Sequence, residues 1–188
     1  MNNNKKEQIE KGITQLIQNS DYDSLLATLE LYDHDGLLNN DYAFAYKCYL
    51  LSYLIAQDLN NARFLWKRML TMKLDDESRQ LHQVLVGMWK RQPKDVHASL
   101  QWQWSSKLLP LITKCQSNYR QYIVALLSRA YSDIHLHNLS DMIGLSEDEA
   151  KAFVLEHEWT VSGDYMITSK SRQPTEDPSN LNQITKQA

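Results

Sequence analysis

From about residue 5 to residue 104, apolar residues recur at intervals of three or four, which is the spacing of one face of an α-helix. The stripes are Ile9, Ile13, Leu16 and Ile17; Leu25, Leu26, Leu29 and Tyr32; Tyr42, Tyr46, Tyr49 and Tyr53; Ala62, Leu65, Trp66 and Met69; and Leu81, Leu85, Met88 and Trp89. Each stripe predicts an amphipathic helix. We expect the tyrosine stripe to pack in the core between helices; a ligand-binding surface is the alternative.

Polar turns separate these stripes at Asn19-Ser20-Asp21, Asp58-Leu59-Asn60 and Gln92-Pro93-Lys94. Gln92 lies 34 residues after Asp58, and the first turn precedes Asp58 by 37 or 38 residues. A period near 34 is typical of tetratricopeptide-like repeats, in which each helical hairpin buries its apolar face on its neighbours. We therefore predict helical-repeat hairpins over residues 1–117, with Asn60 as the N-cap of a helix that begins at Asn61.

A different pattern predicts a second subdomain over residues 118–170. Its elements in order are a helix at 122–131, a short strand at 134–137, a short helix at 139–143 ended by Gly144, a helix opened by a Ser146–Glu149 capping box, and a hairpin with strands at 159–161 and 165–168. Helix, strand, helix, helix, hairpin is the order of a winged helix. The predicted fold is therefore mostly α, with helical hairpins followed by a C-terminal winged helix.

Composition agrees with a helical fold. Only 5 Gly and 4 Pro occur, whereas a sandwich or barrel needs many turn residues. The two cysteines, Cys48 and Cys115, are far apart and fit reduced thiols better than a disulfide framework. Residues 1–11 are Asn-rich and charged, and no apolar run is long enough to span a bilayer, so we expect neither a signal peptide nor a membrane helix.

The last stretch, residues 171–188, is polar and contains Pro174 and Pro178, which is typical of a linker or tail. Leu181 and Ile184 are its large apolar positions. Their spacing fits one short C-terminal helix anchored on a partner.

A winged helix first suggests DNA binding through the helix that follows Ser146. Over residues 146–158, however, five acidic residues accompany one basic residue, Lys151. The formal net charge of the whole chain is −3. Since contacts to phosphates supply most of the affinity for DNA, we predict no direct nucleic-acid binding. A winged-helix nucleic-acid regulator remains the alternative from another functional class.

His135, His137 and Asp148 match the ligand spacing of a JAMM metalloprotease, but their neighbours do not fit. Asn138 stands where that pattern has proline, and Leu145 where it has serine. Zinc also needs three or four converging ligands. No nucleophile elbow, phosphate loop or dinucleotide fingerprint occurs in the sequence. We therefore predict no metal, no cofactor, no small-molecule substrate and no catalysis, with a cryptic metal hydrolase as the competing hypothesis.

Two other sets of residues suggest protein binding. Arg63, Lys67 and Arg68 form a basic edge beside Trp66, which is either a solvated face or a docking edge, since arginine is enriched at interfaces. Trp102 and Trp104 are two positions apart and cannot share a helix face. One of them is therefore expected at a bend or exposed, where it would serve as a binding anchor.

Two stretches resemble the smallest PCI-domain subunits of the COP9 signalosome. They are the motif Leu-Asn-Asn-Ala-Arg-Phe-Leu-Trp-Lys-Arg at 59–68, and a run from Leu126 to Tyr131 that continues through Leu139, Gly144-Leu145 and Glu149-Ala150 to Trp159. The resemblance implies a PCI domain that acts as a scaffold. The complex removes a ubiquitin-like modifier from cullins, and its metalloprotease is a different subunit. Similar subunits of the proteasome lid and of a translation initiation complex remain alternatives.

The resemblance also implies partners and location. Other PCI-domain subunits would pair with this chain edge strand to edge strand, and the candidate edge is residues 165–168, which makes Tyr165 and Ile167 partner-binding residues. C-terminal helices gather in a bundle in such complexes, and here that helix has room only from Ser179 to Ala188, with Leu181 and Ile184 as contacts. We expect the chain in the cytoplasm and nucleus.

Overall fold

The computed structural model describes residues 2–38, 41–156 and 159–167, and within these ranges the chain forms nine helices and three short strands. The helices are α1 (Asn2–Gln18), α2 (Tyr22–His34), α3 (Ala43–Ile55), α4 (Leu59–Met69), α5 (Asp76–Trp89), α6 (Pro93–Leu100), α7 (Leu109–Ala130), α8 (Leu136–Ile143) and α9 (Glu147–Glu156); the strands are β1 (Asp133–His135), β2 (Thr160–Ser162) and β3 (Tyr165–Ile167). The predicted mostly-α fold is confirmed. None of the described helices has the length and apolarity that crossing a membrane requires.

The first six helices form three helix–turn–helix hairpins, α1–α2, α3–α4 and α5–α6. Each hairpin turns at one residue in the left-handed region: Ser20 with φ 56°, Gln57 with φ 59° and Arg91 with φ 55°. The residue after each donates its amide to a carbonyl five positions back, as Asp58 does to Tyr53 at 3.0 Å. This is a Schellman ending, followed at once by the next helix. The three polar turns predicted from the sequence are therefore confirmed.

The predicted N-cap at Asn60 is wrong, because α4 begins two residues earlier than the sequence suggested. Asp58 is the cap, and its carboxylate accepts a hydrogen bond from the Asn61 amide at 3.1 Å. Asp21 caps α2 in the same way, by accepting from the Ser24 amide at 3.1 Å. An N-cap side chain reaches forward to the third amide of its helix, and here the carboxylate of Asp58, the residue directly after the left-handed Gln57, does so.

We expect Arg91→Gly to stabilise the protein. An L-residue in the left-handed region is strained by about 1–2 kcal/mol, part of which the greater freedom of glycine in the unfolded chain offsets. A net gain of about 0.5–1 kcal/mol in the free energy of unfolding should appear in a urea titration. Lys90→Gly is the matched control, since Lys90 has a right-handed φ of −78° and glycine there should destabilise. A loss of stability in Arg91→Gly would contradict the turn geometry.

The predicted apolar stripes form the core of the hairpin region. Helix α3 is buried almost all round, because it packs against α1, α2, α4 and α5. The tyrosine stripe lies in this core, as predicted: all four tyrosines, Tyr42, Tyr46, Tyr49 and Tyr53, are buried. The Tyr49 and Tyr53 hydroxyls lie 2.9 Å apart, and Tyr53 donates to the Glu30 carboxylate at 3.0 Å. Burial raises the pKa of both phenols, so they stay neutral hydrogen-bonding groups.

The chain divides into two compact units. The first contains the described residues up to Ile123 together with Asp141–Gly144, and the second contains Val124–Ser140 and the described residues from Leu145 onward. Helix α7 runs unbroken through the predicted boundary at residues 117–118. In the second unit, β3 pairs antiparallel with β1 and with β2, which gives the sheet order β1-β3-β2. The order of its helices and strands is the one predicted from the sequence.

Local sequence signals around α8 and α9 also hold. Gly144 follows α8 with φ 67°, as expected of a glycine that ends a helix. The Ser146–Glu149 capping box is present, since the Ser146 amide donates to the Glu149 carboxylate at 2.9 Å and the Ser146 hydroxyl accepts from the Glu149 amide at 3.3 Å. The hairpin turn lies at Gly163 and Asp164. The predicted tail at 171–188, with Leu181 and Ile184, lies outside the described residues.

Candidate partner-binding surfaces

Helix α4 presents the basic edge predicted from the sequence. Its apolar face, which includes Leu65 and Trp66, is buried, and the Trp66 ring stacks on His82 with centroids 4.3 Å apart. The opposite face leaves Arg63, Lys67 and Arg68 exposed. The 3.6-residue period of the helix therefore fixes the basic side chains at the surface while Trp66 anchors α4 against α5.

Arg63 and Arg68 have different surroundings. Arg68 forms an ion pair with Asp33 of α2 at 2.7 Å, so it ties α4 to the preceding hairpin. Arg63 instead lies over the ring of Trp89, with its guanidinium carbon 3.8 Å from the ring centroid. Trp89 is 46% exposed, so its predicted place in the buried stripe of α5 is wrong. The guanidinium of Arg63, and not the core, covers one side of the indole. The spacing of apolar residues along α5 does not reveal such a contact with another helix.

The tryptophan pair after α6 behaves as predicted. Trp104 is buried and donates its indole N–H to the Leu100 carbonyl at 3.0 Å. Trp102 is 38% exposed and meets Trp104 edge to face, with ring centroids 5.2 Å apart. One tryptophan of the pair is therefore structural and the other is exposed. A role for Trp102 as a binding anchor stays a prediction.

The predicted sheet edge is wrong. Tyr165–Ile167 forms β3, the central strand of the sheet, because β1 and β2 pair with it on both sides. Within the described residues the edges are β1 and β2 instead. The sequence shows the β2–β3 hairpin, which is local, but the pairing of β1 with β3 joins residues some thirty positions apart, as between His135 and Tyr165. Partner contacts through the side chains of Tyr165 and Ile167 stay predictions.

Helix α9 is acidic where it begins. Glu147, Asp148 and Glu149 fill its first turn, where the positive end of the helix dipole stabilises carboxylates. The side chain of Asp148 is 99% exposed, and its nearest cation is Lys151 at 4.0 Å. Carboxylates in that position repel phosphates, and the absence of direct nucleic-acid binding stays a prediction.

The histidine pair takes local structural contacts. His135 ends β1, accepts a hydrogen bond from the His137 amide at 3.2 Å and meets the edge of Tyr165, with ring centroids 5.3 Å apart. His137 lies in α8, with its Nδ1 atom 3.2 Å from the Glu147 carboxylate. Asp148 points to solvent. Across the described ranges, no group of three His, Cys, Asp or Glu side chains is placed to hold a metal ion.

A buried ionic cluster escaped the sequence analysis. Lys47 of α3 is only 7% exposed, and its ammonium donates to Asp75, the N-cap of α5, at 2.8 Å and also to Glu77. Glu77 in turn accepts a hydrogen bond from the Ser105 amide at 2.8 Å. Burial lowers the pKa of Lys47, but the two carboxylates outweigh burial and raise it, so Lys47 is charged at neutral pH. The cluster joins α3, α5 and the segment after α6, which is a structural role.

A second unforeseen contact fixes the end of α8. The buried His97 of α6 lies against Gly144, and its Nε2 atom donates to the Met142 carbonyl at 3.1 Å. The Arg120 guanidinium donates to the Ile143 carbonyl at 2.9 Å. These carbonyls have no amide partner within their own helix, so side chains satisfy them. Burial lowers the pKa of His97, which keeps the ring neutral.

A stack of three helical hairpins defines a protein of the helical-repeat class. Within that class, the chain belongs to the CSN8/PSMD8/EIF3K family, whose model matches residues 39–179. The resemblance inferred from the motif at 59–68 and from the later run to Trp159 is therefore confirmed.

Three relatives with similar sequences share one name. The chain is 28% identical over 148 residues to the COP9 signalosome complex subunit 8 of Arabidopsis thaliana, a match that covers 74% of this chain and 75% of that protein. It is 29% identical over 117 residues to the protein of that name from Danio rerio, covering 61% of each. It is 30% identical over 116 residues to the one from Dictyostelium discoideum, covering 61% of this chain and 59% of that protein. The chain thus spans about three fifths of the last two relatives.

Proposed function

We propose that this chain is a non-catalytic scaffold subunit of a COP9 signalosome. Membership of the CSN8/PSMD8/EIF3K family carries the proposal, together with the shared name of the relatives from a plant, an animal and an amoeba. In this role the chain supports the removal of a ubiquitin-like modifier from cullins and thereby the regulation of ubiquitin ligases. The ionic cluster at Lys47 joins α3, α5 and the segment after α6, and this structural role supports a scaffold.

We infer that the second unit is the winged helix of a PCI domain and that it assembles with other PCI-domain subunits. Supporting this, the unit has the winged-helix order of elements and a small sheet whose described edges are β1 and β2. Edge strands carry unpaired backbone donors and acceptors, which another strand can extend. We therefore propose that a partner strand pairs with Thr160–Ser162 or with Asp133–His135, and not with Tyr165–Ile167. With such partners, the chain would reside in the cytoplasm and nucleus.

Affinity purification tests the proposal. A tagged chain expressed in cells should recover other signalosome subunits in equal amounts, measured by quantitative mass spectrometry. Recovery of proteasome-lid subunits or of translation initiation subunits would support the related assemblies, which the same family includes by its description. Recovery of none of these would overturn the scaffold proposal.

The competing class, a nucleic-acid regulator, makes a different prediction. A protein whose affinity comes from phosphate contacts binds duplex DNA with a steep dependence on salt. Because the first turn of α9 holds Glu147, Asp148 and Glu149, we expect no such binding by this chain. A fluorescence anisotropy titration with labelled duplex DNA at two salt concentrations measures this, and tight, salt-dependent binding would favour the regulator.

A further inference from the structure

A groove of about 200 Å³ lies between α4 and α5 in the first unit. Its floor is apolar, since Trp66 and Leu85 line it and both are buried. His82 adds an aromatic surface by stacking on Trp66, with an interplanar angle of 11°. Burial lowers the pKa of His82, so its ring is neutral at neutral pH and the floor carries no charge. The groove is smaller than the roughly 300–1,000 Å³ of small-molecule sites, so its size suits a single apolar side chain.

The rim of the groove is positive. Arg63, Lys67 and Lys90 line it, and all three are exposed. In the part of the chain that the structure describes, none of these three forms an ion pair with a carboxylate. Other cations nearby are paired, as Arg68 is with Asp33 at 2.7 Å. Three unpaired cations around one groove stand out on a chain whose formal net charge is −3.

One of these cations is held in a defined orientation. The guanidinium of Arg63 lies 3.8 Å from the centroid of the half-exposed Trp89 ring. A guanidinium carries its N–H donors in its own plane, so stacking occupies a face and leaves the donors available for a carboxylate. Lys67 lies over Phe64 at 5.7 Å, and Phe64 is 63% exposed. The rim therefore offers oriented cations beside exposed aromatic rings.

We propose that this groove binds an acidic segment of a partner protein. The segment places one large apolar side chain on the floor formed by Trp66 and Leu85 and sets its carboxylates against Arg63, Lys67 and Lys90. The complementary charge and the apolar floor together favour such a peptide. A nucleic-acid strand is disfavoured, because a stacking platform needs open aromatic faces and Arg63 already covers one face of Trp89. That the segment belongs to a partner protein rests on the proposed scaffold function, whereas the affinity of the groove for an acidic peptide does not.

The probes are short synthetic peptides tested on the full-length chain. The first peptide has aspartate and glutamate around one central leucine. The second replaces the leucine by serine, and the third replaces the acids by asparagine and glutamine. The readout is the indole N–H signals of the five tryptophans in a ¹H–¹⁵N NMR spectrum. The first peptide should shift the signals of Trp66 and Trp89 in a saturable way, and the other two should bind at least about tenfold more weakly, which is the loss expected when one anchor or its charges are removed.

Charge-reversal variants locate the binding. Arg63→Glu combined with Lys67→Glu should abolish the shifts of Trp66 and Trp89 and keep the thermal melt close to wild type, since both side chains are exposed. Lys5→Glu with Lys6→Glu is the matched control, because it makes the same change in net charge on α1, far from the groove along the chain. That variant should bind the acidic peptide like the wild type.

Three outcomes would overturn the proposal. They are the absence of saturable shifts with the acidic leucine peptide, equal binding of the neutral peptide, and loss of binding in the control variant. Tighter binding of single-stranded DNA than of the peptide, with shifts at Trp66 and Trp89, would reassign the groove to nucleic acid. None of these results bears on whether the chain recovers signalosome subunits from cells, so failure here is distinguishable from failure of the scaffold proposal.

Discussion

Replacing Gly144 by alanine is expected to lower the free energy of unfolding by about 3 kcal/mol. The left-handed φ of 67° contributes about 1–2 kcal/mol of strain for any L-residue. The added Cβ would also lie 2.3 Å from Cγ and 2.8 Å from Cβ of His97, much closer than real carbon contacts. Overpacking of this kind costs about 1–3 kcal/mol. The His97 ring is buried and bonded to the Met142 carbonyl, so it has little room to move.

The variant Gly36→Ala separates the cost of backbone strain from the cost of overpacking. Gly36 also ends a helix with a left-handed φ of 65°, but nothing lies within 4 Å of the added Cβ. In this control the free energy of unfolding should fall only by the cost of backbone strain, about 1 kcal/mol. Urea titrations of the two variants measure the difference. Equal losses for Gly144→Ala and Gly36→Ala would show that the close approach of Gly144 to His97 is not present in solution.

Replacing Lys47 by methionine is expected to lower the free energy of unfolding by about 3 kcal/mol at neutral pH. Removing one partner of a buried ion pair costs about 3–5 kcal/mol, because the remaining charge stays desolvated. The low end applies here, since the side chain of Asp75 is half exposed and water solvates it after the change. Lys94→Met is the control, because its pair with Asp141 is exposed and should contribute less than about 1 kcal/mol.

The loss in Lys47→Met should depend on pH with a definite sign. Burial raises the pKa of Asp75, but hydrogen bonds from Lys47 and Ser78 outweigh burial and bring it to about 2. The same balance lowers the pKa of Glu77. A carboxylate with a depressed pKa stabilises the fold fully above its unfolded pKa of about 4, and this contribution is lost as pH falls toward the folded pKa. The difference between wild type and Lys47→Met should therefore shrink between about pH 4 and pH 2. A constant difference would contradict the pairing.

The hairpins and their turns were predictable because their signals are local. The apolar period of each helix and the polar residues at 19–21, 58–60 and 92–94 lie within one or two turns of the structure they specify. Gly144 and the Ser146–Glu149 box were read correctly for the same reason. Only the exact cap of α4 was missed, since Asp58 and Asn60 are both good caps and the left-handed residue before Asp58 decides between them.

The other features that the sequence did not predict involve contacts between distant parts of the chain. Lys47 meets Asp75 and Glu77 across 28 and 30 positions, and nothing in the local sequence marks a lysine in an apolar stripe as paired. Arg63 covers Trp89 from a different helix. Strand β1 pairs with β3 through a register that no local pattern sets, which displaced the predicted edge. Contacts between distant residues form only in the assembled fold, so local sequence patterns do not reveal them.

Native mass spectrometry of the endogenous complex measures whether this chain is a scaffold subunit. We predict one assembly that contains this chain with other PCI-domain subunits, and gentle dissociation should release the chain in a ratio of one per complex. Finding the chain alone, with no stable partner under conditions that preserve other complexes, would contradict the scaffold role.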